Sequence, residues 1–277
     1  MTFNIITLFV FYKLILFSVL GYGLLFEKII NRNISYNQLG YTGLIGIFFL
    51  ILYSYISNIF FPHGYVHNLI IVFTGLVSFF FYFFKDIRKF DFSIFFINFL
   101  ILFLALLIFK THDDFPYYHF PYTYHLTQHT MQIGIGQFNH GFRTPSSILY
   151  LNSLFYLPII KYYSFYIPSL LIMGFSNLIL ISKILLNLKK KDINYSFYLS
   201  ILFFAFINIF FYRIQEHGTD RSAMILIFIL FLQLINLVEV KKYNNLQINY
   251  IFVTLGIIIT LKAFYILYLI FAVPLYF

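Results

Sequence analysis

An all-α bundle of transmembrane helices is the fold class this sequence predicts, and three observations predict it. Hydrophobic residues make up 61% of the chain and charged residues only 10%, with a mean hydropathy of +0.88. A soluble domain carries roughly 25% charged residues, so water could not solvate this surface. The apolar residues come in long runs, and lysine and arginine gather in the short breaks between them.

A helix needs about 20 mainly apolar residues to cross the hydrocarbon. Spans are expected near 5–26, 40–61, 66–84, 93–109, 163–187, 195–212, 222–240 and 248–262, with a ninth apolar run over 264–277. The first run holds Lys13 but no small-residue cleavage site closes it, so it reads as a retained helix rather than a signal peptide. The segment 146–160, "SSILYLNSLFYLPII", is too short to span comfortably. Pro145 before it and Pro158 near its end predict a helix lying along the interface or dipping in part-way. Residues 1–92 form an N-terminal three-helix segment in this reading, and 93–277 a core with external loops 110–162 and 213–221.

Composition excludes several functions. The chain has no cysteine, hence no disulfide and no thiolate metal or redox centre. It has no tryptophan, so tyrosine and phenylalanine must supply the interfacial aromatic belts. A net charge of +9 comes from lysine-rich loops, which point to membrane lipids rather than nucleic acid as partner.

Orientation follows from the basic loops. Lys28 and Arg32 lie in 27–39; Lys85, Arg88 and Lys89 in 85–92; Lys189, Lys190 and Lys191 in 188–194; Lys241 and Lys242 in 241–247. With 146–160 not spanning, all four loops fall on one side, the expected cytoplasm, and the N-terminus lies outside. Loops 110–162 and 213–221 then share the outer face. They hold four of the nine acidic residues, Asp113, Asp114, Glu216 and Asp220, and the first holds five of the eight histidines.

Adjacent acids do not point the same way on a helix or strand, so one of Asp113 and Asp114 is expected to face a pocket. The bland alternative is a helix cap in a solvated loop. Against it, "DDFPYYHFPYTYH" is too apolar for a connector, and ordered loops of this length are usually functional. Arg143, Arg213 and Arg221 lie on the same side, suited to phosphate oxygens. Carboxylates beside cations suit transfer of a sugar from a lipid phosphate. A base takes the acceptor's proton and a cation, Arg, Lys or a divalent metal ion, neutralises the leaving phosphate.

The stretch "DFPYYHFP", with Asp114, His119 and Pro121, resembles the D-x-x-x-Y-H-x-P signature of bacterial GT-C-type membrane glycosyltransferases, which include protein mannosyltransferases and lipid A aminoarabinose transferases. "GFRTPSSILYLNSLFYLP" is similar to the end of their first external loop with its interfacial helices, and "EHGTD" to their second. The resemblance covers residues 93 to 277. It implies a GT-C-like core and a polyprenyl-phosphate sugar donor at a site facing the outside of a bacterial inner membrane. Asp114 is then the candidate base with Asp113 its nearest competitor, and His119 orients Asp114 or the acceptor. Asp220 and Glu216 position the acceptor or a metal, Arg143 and Arg221 hold the donor phosphate, and Lys262 either reaches that phosphate or snorkels to the interface.

Two departures stand out. Three helices precede the family-like core, and the chain stops inside "LYLIFAVPLYF", the ending expected of a fragment. A transporter or flippase for lipid-linked sugars is the rival class, and a non-catalytic membrane protein a third. A transporter should place ionisable groups near mid-membrane, whereas these acids cluster at one face. Two other motifs carry little. His125 and His129 in "HLTQH" have metal-ligand spacing without the glutamate of a zinc protease. "GIGQFNHG" is a glycine-rich match without the register of a phosphate loop.

Overall fold

Among the residues the structure describes, ten α-helices are joined by π- and 3-10 segments. The computed structural model describes residues 4–30, 39–86, 92–143, 146–239 and 245–275. Among them there is no strand, and the chain is an all-α bundle. In order the helices are α1 (Ile5–Ile30), α2 (Leu39–Phe60), α3 (Tyr65–Asp86), α4 (Phe92–Leu106), α5 (Phe120–Gln128), α6 (Ser147–Leu154), α7 (Ile167–Lys190), α8 (Tyr195–Phe210), α9 (Asp220–Glu239) and α10 (Asn245–Leu261). A 3-10 segment, Ala263–Leu275, replaces the ninth apolar run.

Every apolar run of the sequence is helical, with boundaries moved by a few residues. Among the described residues, α1, α2, α3, α7 and α9 are long and apolar enough to cross a membrane, and α4, α8 and α10 are shorter apolar helices. The protein is a multi-pass membrane protein. Large apolar side chains such as Phe73, Phe81, Ile97, Ile101, Leu202 and Ile209 stay exposed on α3, α4 and α8, the surface that hydrocarbon rather than water solvates.

The core centres on α7, which packs against α2, α4, α6, α8 and α9. The first three helices belong to the same apolar cluster, with α2 contacting α6, α7 and α10. Glycine lets α1 approach its neighbours closely: a Cβ on Gly21 would lie 1.9 Å from the Gly75 carbonyl of α3. Such small-residue contacts hold helices where no hydrophobic drive exists between them.

The short helix α6 differs from one lying on a surface. All eight of its residues are buried, and it packs against α2, α5, α7 and α10. Ser146 caps it, accepting from the Ile148 N–H, and donates its own hydroxyl to the Leu261 carbonyl of α10.

Hydrogen bonds sort the helix termini into two ends. At one, Gln215 reaches Leu106, Lys262 reaches Asp220, and Asn58 reaches Leu126 and His129. At the other, Glu27 accepts from Thr42 and Tyr250, Lys183 donates to Asn236, and Glu239 accepts from the Ser196 N–H. Loops 110–162 and 213–221 both belong to the first, acidic end. Lys189, Lys190 and Lys191 lie at the second, while Arg32, Arg88, Lys89, Lys241 and Lys242 fall outside the described residues.

Candidate functional site

The two acidic loops are tied together by main-chain and amide bonds. The His112 N–H donates to the Gln215 carbonyl at 3.1 Å, and the Gln215 side chain donates to the Leu106 carbonyl at 2.9 Å. These bonds bring residues about a hundred positions apart under the end of α4. Gly218 closes the contact with a left-handed φ of 50°. A Cβ there would lie 3.2 Å from the His119 ring and 3.4 Å from that of His112, so glycine's freedom is needed for both backbone and space.

Asp114 opens a π-helical turn, Phe115–His119, and makes no capping bond with its side chain. Turns of this kind often mark functional positions. Its carboxylate instead accepts from the Tyr118 hydroxyl at 3.2 Å, while its N–H donates to His112 Nδ1 at 3.1 Å. Burial, reinforced by the charges of Asp114 and Asp220, pushes the Tyr118 hydroxyl up to about 12, so it remains a proton donor. Asp113 is exposed and makes no ion pair or hydrogen bond with a described residue.

His119 is buried behind Asp114, in ring contact with Tyr118 and His112. Burial, with help from His112, lowers it to about 4, so its imidazole is neutral. Its Nε2 has no protein partner. Beneath it lies a cavity of about 20 Å³ lined by residues of both loops, α6 and α7, room for about one water. Asn152 Oδ1, Tyr166 Oη and Gln215 Oε1, on three further lining residues, are likewise buried without a protein partner.

Asp220 starts α9 and receives Lys262 on both oxygens, at 2.7 and 2.9 Å, with the Tyr265 hydroxyl at 3.3 Å. Glu216 gathers three cations: Arg221 at 2.7 Å, Lys110 at 3.2 Å and Arg213 at 3.4 Å. Burial alone would raise the Glu216 carboxyl, but Arg221 and Lys110 outweigh it and hold it down at about 2. Next to it His217 is buried, its Nε2 2.6 Å from the Phe211 carbonyl, and burial lowers it to about 4.

Arg143 is exposed and donates to the Gly136 carbonyl of its own loop at 3.3 Å. That loop leans on the site through Asn139, which donates to the Tyr117 carbonyl, and through Gly141, packed on the Tyr118 ring. Arg221 and Lys262, read from the sequence as phosphate ligands, are here engaged by Glu216 and Asp220. His125 and His129 stand 4.7 Å apart between ring centres. Among the described residues no three His, Asp or Glu side chains gather where they could hold a metal ion.

Sequence reasoning missed Lys110, His112, Gln215 and Asn152. Lys110 and His112 flank the acidic pair and were visible as charge neighbours. Gln215 and Asn152 carry no motif, since their roles depend on contacts between distant segments.

With that geometry in view, residues 5–277 match the family described as Domain of unknown function (DUF8201). The chain belongs to that family. Comparison with curated proteins and with solved structures finds no match. In this DUF8201 member, the acidic end joins a half-exposed carboxylate, a neutral buried histidine and three cations around one glutamate.

Proposed function

We propose that the protein is a membrane glycosyltransferase moving a sugar from a polyprenyl-phosphate donor to an acceptor hydroxyl. Its site would face the side opposite the lysine-rich loops, the periplasm or exterior of a bacterial inner membrane. The observation that carries the reading is the cation cluster beside the Asp114 loop: Lys110, Arg213 and Arg221 gather on the one carboxylate of Glu216, next to Gln215, whose carbonyl accepts from His112. A desolvated phosphate is the natural counterion for such a cluster.

In the reaction, the acceptor hydroxyl attacks the anomeric carbon, the carbon–oxygen bond to the phosphate breaks, and polyprenyl phosphate leaves as the anion. Asp114 takes the acceptor proton. One of its oxygens is held by Tyr118, which orients the carboxylate and leaves the other oxygen free for the acceptor. His119, neutral and buried, acts as a positioning residue for Tyr118 and Asp114. Arg213, Arg221 and Lys110 stabilise the departing phosphate, and Lys262 adds its charge from Asp220. A phosphate leaves without protonation, so no general acid is required.

The test is turnover by the purified full chain supplied with polyprenyl-phosphate mannose or polyprenyl-phosphate aminoarabinose, with donor binding measured separately. General-base catalysis contributes about 10²–10⁴-fold, so Asp114→Asn should lose that factor while binding donor normally. Asp113→Asn should be near normal. Arg221→Ala should weaken donor binding instead. Normal turnover in Asp114→Asn would remove it as the base, and donor binding without turnover in the unmodified chain would favour a transporter.

A further inference from the structure

A cavity larger than the one beneath His119 lies at the other end of the bundle, away from both acidic loops. It has a volume of about 240 Å³ and sits between α2, α7, α9 and α10. Its lining joins Lys183 of α7, Gln233 and Asn236 of α9 and Gln247 of α10. Tyr41 and Tyr250, stacked at 4.3 Å between centres and 2° from parallel, form another wall.

The polar groups here are left incomplete in a specific way. Gln233 is only 6% exposed. Its amide nitrogen donates to Thr254 at 3.1 Å, while its oxygen is buried without a partner. The Gln247 oxygen is also buried and unpartnered. Buried polar atoms without partners are rare and call for an explanation. Lys183 donates one proton to Asn236 and makes no ion pair with a described residue. Glu239 accepts from the Ser196 N–H with one oxygen, and its other oxygen is buried without a partner.

The cavity therefore offers two acceptors that need donors and one ammonium with donors to spare. A bare phosphate would satisfy Lys183 and leave both amide oxygens facing negative charge. An acyl chain would satisfy none of the three, and a cation would meet Lys183. One ligand carrying both hydroxyls and a phosphate satisfies all of them.

We propose that this cavity binds a phosphorylated polyol, with its phosphate on Lys183 and its hydroxyls on Gln233 and Gln247. The ligand is a lipid headgroup or a free polyol phosphate. Leu186, which also lines the cavity, is 47% exposed, so the chamber reaches the surface of the bundle, where a ligand would enter. The inference stands independently of the transferase reading, because no residue of the acidic end takes part.

The experiment uses the purified full chain in detergent. In one arm, retention of phosphatidylglycerol, phosphatidylinositol, phosphatidic acid and phosphatidylcholine is compared by native mass spectrometry. In the other, glycerol phosphate and inositol phosphate are titrated calorimetrically. The two polyol lipids should be held about tenfold tighter than phosphatidylcholine or phosphatidic acid. Lys183→Met should abolish about tenfold of that preference, the loss expected for one charge-assisted hydrogen bond. Lys183→Arg should keep most of it, and Gln247→Ala at the cavity rim should lose severalfold. Binding in the lipid arm alone identifies a headgroup, and binding in both identifies a site open to the free phosphate. Equal retention of all four lipids would overturn the proposal, as would phosphatidic acid matching the polyol lipids. Unchanged binding in Lys183→Met would overturn it too. If that variant fails to fold, full affinity in Gln247→Ala decides against it.

Discussion

Asn68, at the acidic end, donates through its amide to the carbonyls of His63, Ser153 and Tyr156, whereas Gln233, at the opposite end, donates to Thr254 and leaves its oxygen unpartnered. Both are buried carboxamides. The first closes a structure, fastening the α2–α3 turn to the end of α6. The second holds a chamber's wall with half its capacity unused. The difference teaches that one residue type can close one contact of a bundle and leave another receptive. Polar satisfaction, not polarity, separates the two.

Low pH should break the acidic end first, and this is the largest effect expected. Every histidine of the chain lies in segments of that end. Burial is the leading cause that lowers His63 to about 3 and His119 and His217 to about 4. Each binds its proton in the unfolded chain near 6.5 but stays neutral in the fold, so the unfolded state holds more protons between those values. Stability contributed by these neutral rings is therefore complete above about pH 6.5 and is lost as pH falls toward 4. Each can contribute up to about 1.4 kcal/mol per pH unit, and melting in detergent from pH 8 to 4 should show a loss of several kcal/mol. Glu216 adds its own loss lower down, as pH drops from 4.5 toward about 2. A flat melting profile between pH 6.5 and 4 would break the comparison.

Replacing the two carboxamides by leucine sharpens it. Asn68→Leu removes the donor of the His63 and Tyr156 carbonyls, while that of Ser153 keeps the Tyr156 N–H, and should cost about 2 kcal/mol, at roughly 1 kcal/mol or more for each. Gln233→Leu removes one bond but also an unpartnered oxygen, and should cost less than about 1 kcal/mol. Equal losses in denaturant or thermal unfolding would mean that the Gln233 oxygen is satisfied after all. The smallest effect concerns Gly218. Its left-handed φ and its contacts with His112 and His119 predict a cost of about 1–2 kcal/mol for Gly218→Ala, with lipid retention at the other end unchanged.

Much of this architecture was legible in the sequence because hydrocarbon imposes few solutions. The apolar runs mark the helices, and the basic breaks place both acidic loops on one face; α4 and α9 follow from that rule alone. Neighbouring side chains diverge, and Asp114 takes the Tyr118 hydroxyl while Asp113 is exposed, but neither lines the cavity beneath His119. The position of α6 was not legible. The eight residues of α6, five of them apolar, have the same composition whether they lie on an interface or inside a bundle, and only contacts from α2, α7 and α10 decide between them. Lys262 shows a second limit. Sequence places it at the end of α10, where snorkelling and phosphate binding are both reasonable, but its partner Asp220 stands 42 residues away. The cavity around Lys183 lay further out of reach, being assembled from single residues of four helices with no shared motif.

The enclosure of α6 has a consequence for biosynthesis. A chain made from its N-terminus delivers α1 to α4 before α6 emerges, and α6 is far shorter than the about 20 residues that hold a helix across a bilayer unaided. Two of its walls, α7 and α10, do not yet exist at that moment, and its leading Ser146 awaits the carbonyl of Leu261, 115 residues later. Until then Ser147, Asn152 and Ser153 cannot be shut away from water. The segment must therefore wait outside and be seated retroactively, which makes the floor beneath His119 among the last parts of the molecule to be finished.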